Sequence, residues 1–428
     1  MQNQLKIARN QLFSHSVIKN ASFVIIGTII NGLVNFVFLI VAAKLYTPEA
    51  VGLSSAAISS IGLISLIADL GLSIAIIRFL PDSGKESNRL LNFSITFVLG
   101  ASALTTLIFI VGLNIWSSSL LPIRQNALLL VAFIVFALTS SLLPLLLNVF
   151  IAKRNTRYIP IINIVVSVLK IVFIVLMSFL LNSTFGILVG VGLATVIGLL
   201  LCIFWYLPKV QQGFSPIPTI RIGKLRDILG YSLGNYLGRL LLQIPQMVLP
   251  LIIVNLTGAE NNAVFYVSWG IVSLLAAIPS SICNSLFAEV SNDATSLRNN
   301  TIVALKFMLV LILPSTLITV LIAFYLLSIF GSLYAEAGTR VLQILAVSMI
   351  PWGINYMYIS IARFKKRNQD VIMVAGISSI LSLVLASILL IKMGMVGIGI
   401  GYLAGQCISV LIVVIPLRRI ISKKTAQA

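Results

Sequence analysis

Twelve apolar runs, each close to the ~20 residues a helix needs to cross a bilayer, leave this chain almost no other way to fold. In hydrocarbon no water satisfies backbone N–H and C=O groups, so each such run must close its hydrogen bonds internally as an α-helix. The runs cover approximately 18–43, 51–79, 91–114, 126–151, 159–181, 185–207, 228–255, 263–288, 303–330, 339–361, 371–391 and 395–417. Composition points the same way. Of 428 residues 59% are hydrophobic and 9% are charged, with a mean hydropathy of +1.11, whereas a soluble domain carries about 25% charged residues. The expected fold class is an all-α polytopic membrane protein. The run after the basic N-terminal segment is a full span without a small-residue cleavage site, so it reads as a retained first helix.

The net charge of +19 is distributed as a topology signal. Of the 29 Lys and Arg residues, 23 fall in segments on the N-terminal side of the bundle and 4 (Lys44, Arg124, Arg340, Lys392) on the other. Lys170 and Arg239 remain inside helices. This asymmetry predicts cytoplasmic termini in a cell (inner) membrane. A nucleic-acid partner is excluded, since no basic stretch alternates with exposed aromatics. The three cysteines (Cys202, Cys283, Cys407) are dispersed in apolar runs and the single histidine is His15; neither a metal site nor a cofactor is expected.

The chain repeats itself at an offset near 211 residues. Leu45 and Glu49 align with Leu256 and Glu260, Asp82 with Asp293, Asn88 with Asn299, and Gly186, Gly190 and Ala194 with Gly397, Gly401 and Gly405. Pro144 and Asn148 recur as Pro351 and Asn355, and KRN at 153–155 recurs at 366–368. Six helices per half is an even number, so both halves enter the membrane in the same direction. Such a parallel repeat is typical of transporters that bind substrate between two lobes. The expected division is a six-helix lobe at 1–207, a Pro-rich basic linker at 208–227 that crosses the cytoplasmic face, and a second lobe at 228–428, arranged around a central cavity.

Polar groups inside spans cost several kcal/mol unless they meet water or a partner, which makes them the informative positions. Asn235, Arg239, Gln243 and Gln246 recur at spacings of 4, 4 and 3 and share one face of the seventh helix. Gly230, Gly234 and Gly238 form a close-packing edge beside them, and Pro245 and Pro250 are expected to kink the helix. Thr28, Asn31 and Asn35 form a comparable stripe on the first helix. These residues and Lys170, in the middle of the fifth helix, are the candidate lining of a hydrated cavity, with Arg239 and Lys170 lacking a carboxylate on their own helices. Asp69 is the one carboxylate at membrane depth and the candidate for ion coupling; Lys170 and Arg239 are its two prospective partners. Arg78 lies about 13 Å further along the second helix at 1.5 Å per residue, too far to pair with Asp69, and is placed at the cytoplasmic mouth. A cavity whose charges are Arg and Lys favours an anion, and guanidinium suits phosphate oxygens. The external acids Glu49 and Glu260 are repeat-related, and with Glu336 they sit in short turns where they compensate helix N-termini.

Twelve helices in two halves, the second helix AVGLSSAAISSIGLISLIADLGLSIAIIRF, and the glycine-rich starts GILVGVG and GIGIGYLAG of the sixth and twelfth helices resemble the polysaccharide-exporting branch of the multidrug/oligosaccharidyl-lipid/polysaccharide flippase superfamily. The resemblance spans essentially the whole chain. It implies a Wzx-like flippase for an undecaprenyl-diphosphate-linked oligosaccharide, with a cationic lumen to which Arg239 and Lys170, and Arg78 at its mouth, correspond by position. Polysaccharide polymerase or assembly proteins are the implied partners. The sequence departs from the related lipid II flippases in carrying Asn31 and Asn35 where a charged group would stand in the first helix. The alternative is a cation-coupled multidrug extruder of the same superfamily, which depends on deep acidic groups. A membrane enzyme would need clustered acids or bases and an external acceptor-binding loop.

Overall fold

The computed structural model describes residues 32–180, 184–219, 225–292 and 297–422, and within them every regular element is helical. Eleven helices are long and apolar enough to cross a membrane, and α1 (Gly32–Leu45) is a shorter apolar helix among the described residues. The chain is a multi-pass membrane protein. The second helix consists of α2a (Pro48–Ala68) and α2b (Leu72–Phe79). It is followed by α3 (Ser87–Val111), α4 (Ala127–Ala152), α5 (Tyr158–Leu180) and α6 (Gly186–Leu201). The second half comprises α7 (Leu225–Thr257), α8 (Ala259–Asn292), α9 (Leu297–Ser328), α10 (Ser332–Phe364), α11 (Asn368–Met393) and α12 (Met395–Ser422). Several outrun their apolar windows because their polar ends continue the helix beyond the hydrocarbon. Glu49 and Glu260 occupy the first turns of α2a and α8, as their repeat relation suggested. α7 runs on as one helix through Pro245 and Pro250.

The second helix is not the single rod expected over 51–79. Leu70 (φ 46°) and Gly71 (φ 80°) are both left-handed, a conformation open to glycine but disfavoured for a side chain with a Cβ. The break frees backbone donors inside the membrane, and Asp69 re-satisfies them. Its carbonyl accepts the Leu72 N–H at 2.8 Å, while Oδ1 accepts the Ser73 N–H at 3.2 Å and the Ser73 hydroxyl. The carboxylate thus caps the positive end of α2b.

The apolar packing changes character along the bundle. At the end carrying Lys44, Arg124, Arg340 and Lys392, buried clusters mix the two halves. Phe38 and Leu39 pack with Phe265 and Ile271, and Ala56 and Ile61 with Leu251 and Val254. At the opposite, basic end the core divides. One cluster draws only on residues between Leu72 and Phe214, the other only on residues between Leu241 and Ile421. The halves are therefore joined at the far end and separately cored at the basic end.

The repeat is visible in packing detail. A Cβ at Gly190 would press on the backbone of Ile174, and one at Gly401 would overlap the backbone of Ala386, so α5–α6 and α11–α12 meet along equivalent seams. The connecting segment between halves is more ordered than a simple crossing. Asn88 donates to Gly213 O at 3.0 Å and accepts from Gln211 at 2.7 Å. Asn92 donates to Ser215 O at 2.9 Å, and Thr96 Oγ accepts the Thr219 N–H at 3.0 Å. Three residues at helical spacing on α3 hold the segment in register. In the second half Arg298, at the start of α9, likewise donates to Ile421 O at the end of α12, at 2.6 Å.

Candidate functional site

The deep polar residues that sequence reasoning gathered into one lumen sort into two cavities. The first, about 470 Å³, lies beside α7 and is lined by Arg239, Gln243 and Gln246, the face expected from their 4 and 3 spacing. α8 adds Trp269, Ser273 and Ser280, α10 adds Trp352, Tyr356 and Arg363, and Tyr402 comes from α12. Among the described residues of the first half, only Ile74 reaches it. The second cavity, about 590 Å³, lies within the first half, where Lys170 stands among Asn35, Ser65, Ser140, Asn163, Ser167 and Thr195. Thr28 and Asn31 lie outside the described residues, as does the side chain of Asn235. Arg78 is exposed in the last turn of α2b and lines neither cavity.

Arg239 is not the uncompensated cation it seemed to be on its own helix. Its guanidinium lies 3.8 Å from Asp69 Oδ2, a contact between α7 and the break in the second helix. Beside it the Tyr236 hydroxyl donates to Ile67 O at 3.1 Å. The partner found by Asp69 is therefore Arg239 rather than Lys170. Its other oxygen is already committed to Ser73. Arg239 remains one-third exposed, so it keeps donors turned toward the cavity. Lys170 makes neither an ion pair nor a hydrogen bond among the described residues. The close-packing edge of α7 is realised at Gly238, where a Cβ would strike Val371 of α11.

Sequence reasoning missed Arg363 and the aromatic residues of the first cavity. Arg363 belongs to the basic cluster 363–367, beyond the span expected over 339–361, but α10 extends to Phe364 and carries it on the cavity face. Met349, Trp352, Tyr356 and Arg363 share that face at spacings of 3, 4 and 7, a helical stripe carried by aromatic rather than polar side chains. Among the described residues no three His, Cys, Asp or Glu side chains converge as a metal site would require.

The fold is similar to those of solved membrane transporters. The chain superposes with a TM-score of 0.72 on an inward-facing multidrug resistance transporter of the MATE family, at 18% identity, covering 93% of this chain and 96% of that one. It reaches the same TM-score against the lipid II flippase MurJ in an inward closed conformation, at 15% identity over 92% and 87% of the two chains. A MOP transporter from Pyrococcus furiosus, described by the reverse polarity of its binding pocket, matches at 0.63 and 17% identity over 96% of each chain. No curated protein matches by sequence. Residues 17–292, well over half of the chain, match the polysaccharide biosynthesis protein family, and to that family the chain belongs.

Proposed function

We propose that this protein is a flippase that moves a polyprenyl-diphosphate-linked oligosaccharide, such as an O-antigen or similar surface-polysaccharide repeat unit, between leaflets by alternating access. The observation that carries the reading is the charge of the cavities: Lys170, without a counter-ion among the described residues, lines one, and Arg239 and Arg363 line the other. Cations at membrane depth favour an anionic passenger, and the amides and hydroxyls around them suit sugar hydroxyls. The polysaccharide biosynthesis family supplies the context, and a solved relative of the same fold is a lipid II flippase. The basic end is cytoplasmic by the positive-inside rule, which puts both termini in the cytoplasm and the protein in the inner membrane. The two halves act as lobes, 1–207 and 228–428. Their separate cores at the basic end support a state open to the cytoplasm, ready to take cargo from the inner leaflet and deliver it to outer-leaflet polymerase or assembly proteins.

The cation-coupled multidrug exporter is the second reading, favoured by the MATE likeness. It needs a free deep carboxylate, and Asp69 is shared between Ser73 and Arg239. Arg239→Ala separates the two readings. The variant should insert normally yet lose surface glycan, measured by lectin binding to intact cells, with drug susceptibility unchanged. Normal glycan in that variant would remove the cationic-cavity reading.

A further inference from the structure

The cavity beside α7 has a wall that anion binding alone leaves unexplained. Trp352 and Tyr356 stack one turn apart on α10, with ring centroids 5.0 Å apart and planes at 18°. Trp269 meets Tyr402 edge-on at 5.2 Å. These rings pack against the core on one side and border the open cavity on the other. Trp269 and Trp352 are half-buried, and their indole N–H groups, which normally find an acceptor, make no hydrogen bond among the described residues. Arg363 occupies the basic end of the same cavity, its guanidinium beside the Tyr356 hydroxyl.

We infer that this wall is a pyranose subsite, with the cargo's diphosphate held by Arg363 and its first sugars laid on the Trp352–Tyr356 stack; the inference rests on the flippase reading. A pyranose presents a face of weakly positive C–H groups, which complements the negative face of an aromatic ring. Its ring-edge hydroxyls are acceptors for the unpaired indole N–H groups and for the Gln243 amide. Arg363 is better placed for phosphate than Arg239. It makes no ion pair among the described residues, whereas Arg239 is engaged by Asp69. Because the Arg363 guanidinium lies beside the Tyr356 hydroxyl, a diphosphate held there leaves its attached sugar next to the ring stack. Arg363 lies in the last turn of α10, where a polyprenyl chain leaving the diphosphate passes directly into the adjacent leaflet.

The test uses the full chain in lipid nanodiscs, titrated calorimetrically with citronellyl diphosphate and with the same compound carrying N-acetylglucosamine. Wild-type protein should bind the glycosylated compound about fivefold more tightly, the worth of one aromatic contact. Trp352→Ala should erase that difference while leaving the sugarless affinity unchanged, and Trp352→Phe, which keeps a ring, should restore most of it. Arg363→Gln should weaken both compounds, with partial recovery in Arg363→Lys. Equal affinity of wild-type protein for the two compounds, or an unaltered preference in Trp352→Ala, would overturn the subsite and leave the flippase reading standing. Failure of wild-type protein to bind either compound would remove that reading as well.

Discussion

At the scale of single residues, the contact between Asp69 and Arg239 is asymmetric, and the asymmetry is testable. Asp69 is buried, while Arg239 is one-third exposed to a cavity. Removing the arginine leaves a buried carboxylate with only Ser73 and the start of α2b to stabilise it, which is the costly way to break a pair. Removing the carboxylate leaves a cation that the cavity can solvate. Arg239→Gln should therefore lower the apparent unfolding temperature of the purified protein more than Asp69→Asn does. The double variant should recover part of the loss, a coupling of about 1 kcal/mol or less because the pair is long and partly screened. The reverse order would mean that Asp69 acts chiefly as the cap of α2b. The arginine's face was legible in the sequence because spacings of 4 and 3 on one helix are a local signal. Which of Arg239 and Lys170 pairs with Asp69 was not, because Asp69 is distant in sequence from both and periodicity carries no information across that distance.

At the scale of elements, hydrophobicity located the spans but not their ends or breaks. The interruption at Leu70 and Gly71 lies inside a continuous apolar run, and only Asp69, a capping residue in an unlikely place, hinted at it. The end of α10 was lost for the opposite reason. A basic cluster reads as loop, although the last helical turn accommodates Lys and Arg well. The connecting segment shows a third limit. Its Pro and Lys content suggested a free crossing, yet the ladder formed by Asn88, Asn92 and Thr96 pins residues 211–219 to α3. Replacing both Asn88 and Asn92 by Ala removes three of the four side-chain hydrogen bonds that hold the segment. Limited proteolysis should then cut within 211–219 at least several-fold faster, with helical content by circular dichroism unchanged, since each lost bond is worth only about 1 kcal/mol. Cleavage at the wild-type rate would mean that apolar packing of Val210 and Phe214 holds the segment without the ladder.

For the whole molecule, alternating access requires that the joined end separate, and the seam there is built to close tightly. Asn262 of α8 is fully buried and donates to Gly52 O at 2.7 Å and Ser55 Oγ at 3.0 Å on α2a. A Cβ at Gly52 would fall 1.8 Å from Ala259 O, so only glycine allows the two helices this approach. Ser55 is 1% exposed, which makes it a reporter: a cysteine there is hidden while the seam is closed and accessible from outside when it opens. In a background with the exposed Cys407 replaced by serine, Ser55→Cys should react with a membrane-impermeant maleimide on glycan-exporting cells. It should react several-fold more slowly when Arg239→Ala prevents cargo from loading. Adding Gly52→Ala should accelerate labelling in both backgrounds, because the added methyl cannot share space with the Ala259 carbonyl and holds the halves apart. No labelling in any of these cells would mean that the far end stays shut, and that cargo crosses by some route other than exchange between two faces of a central opening.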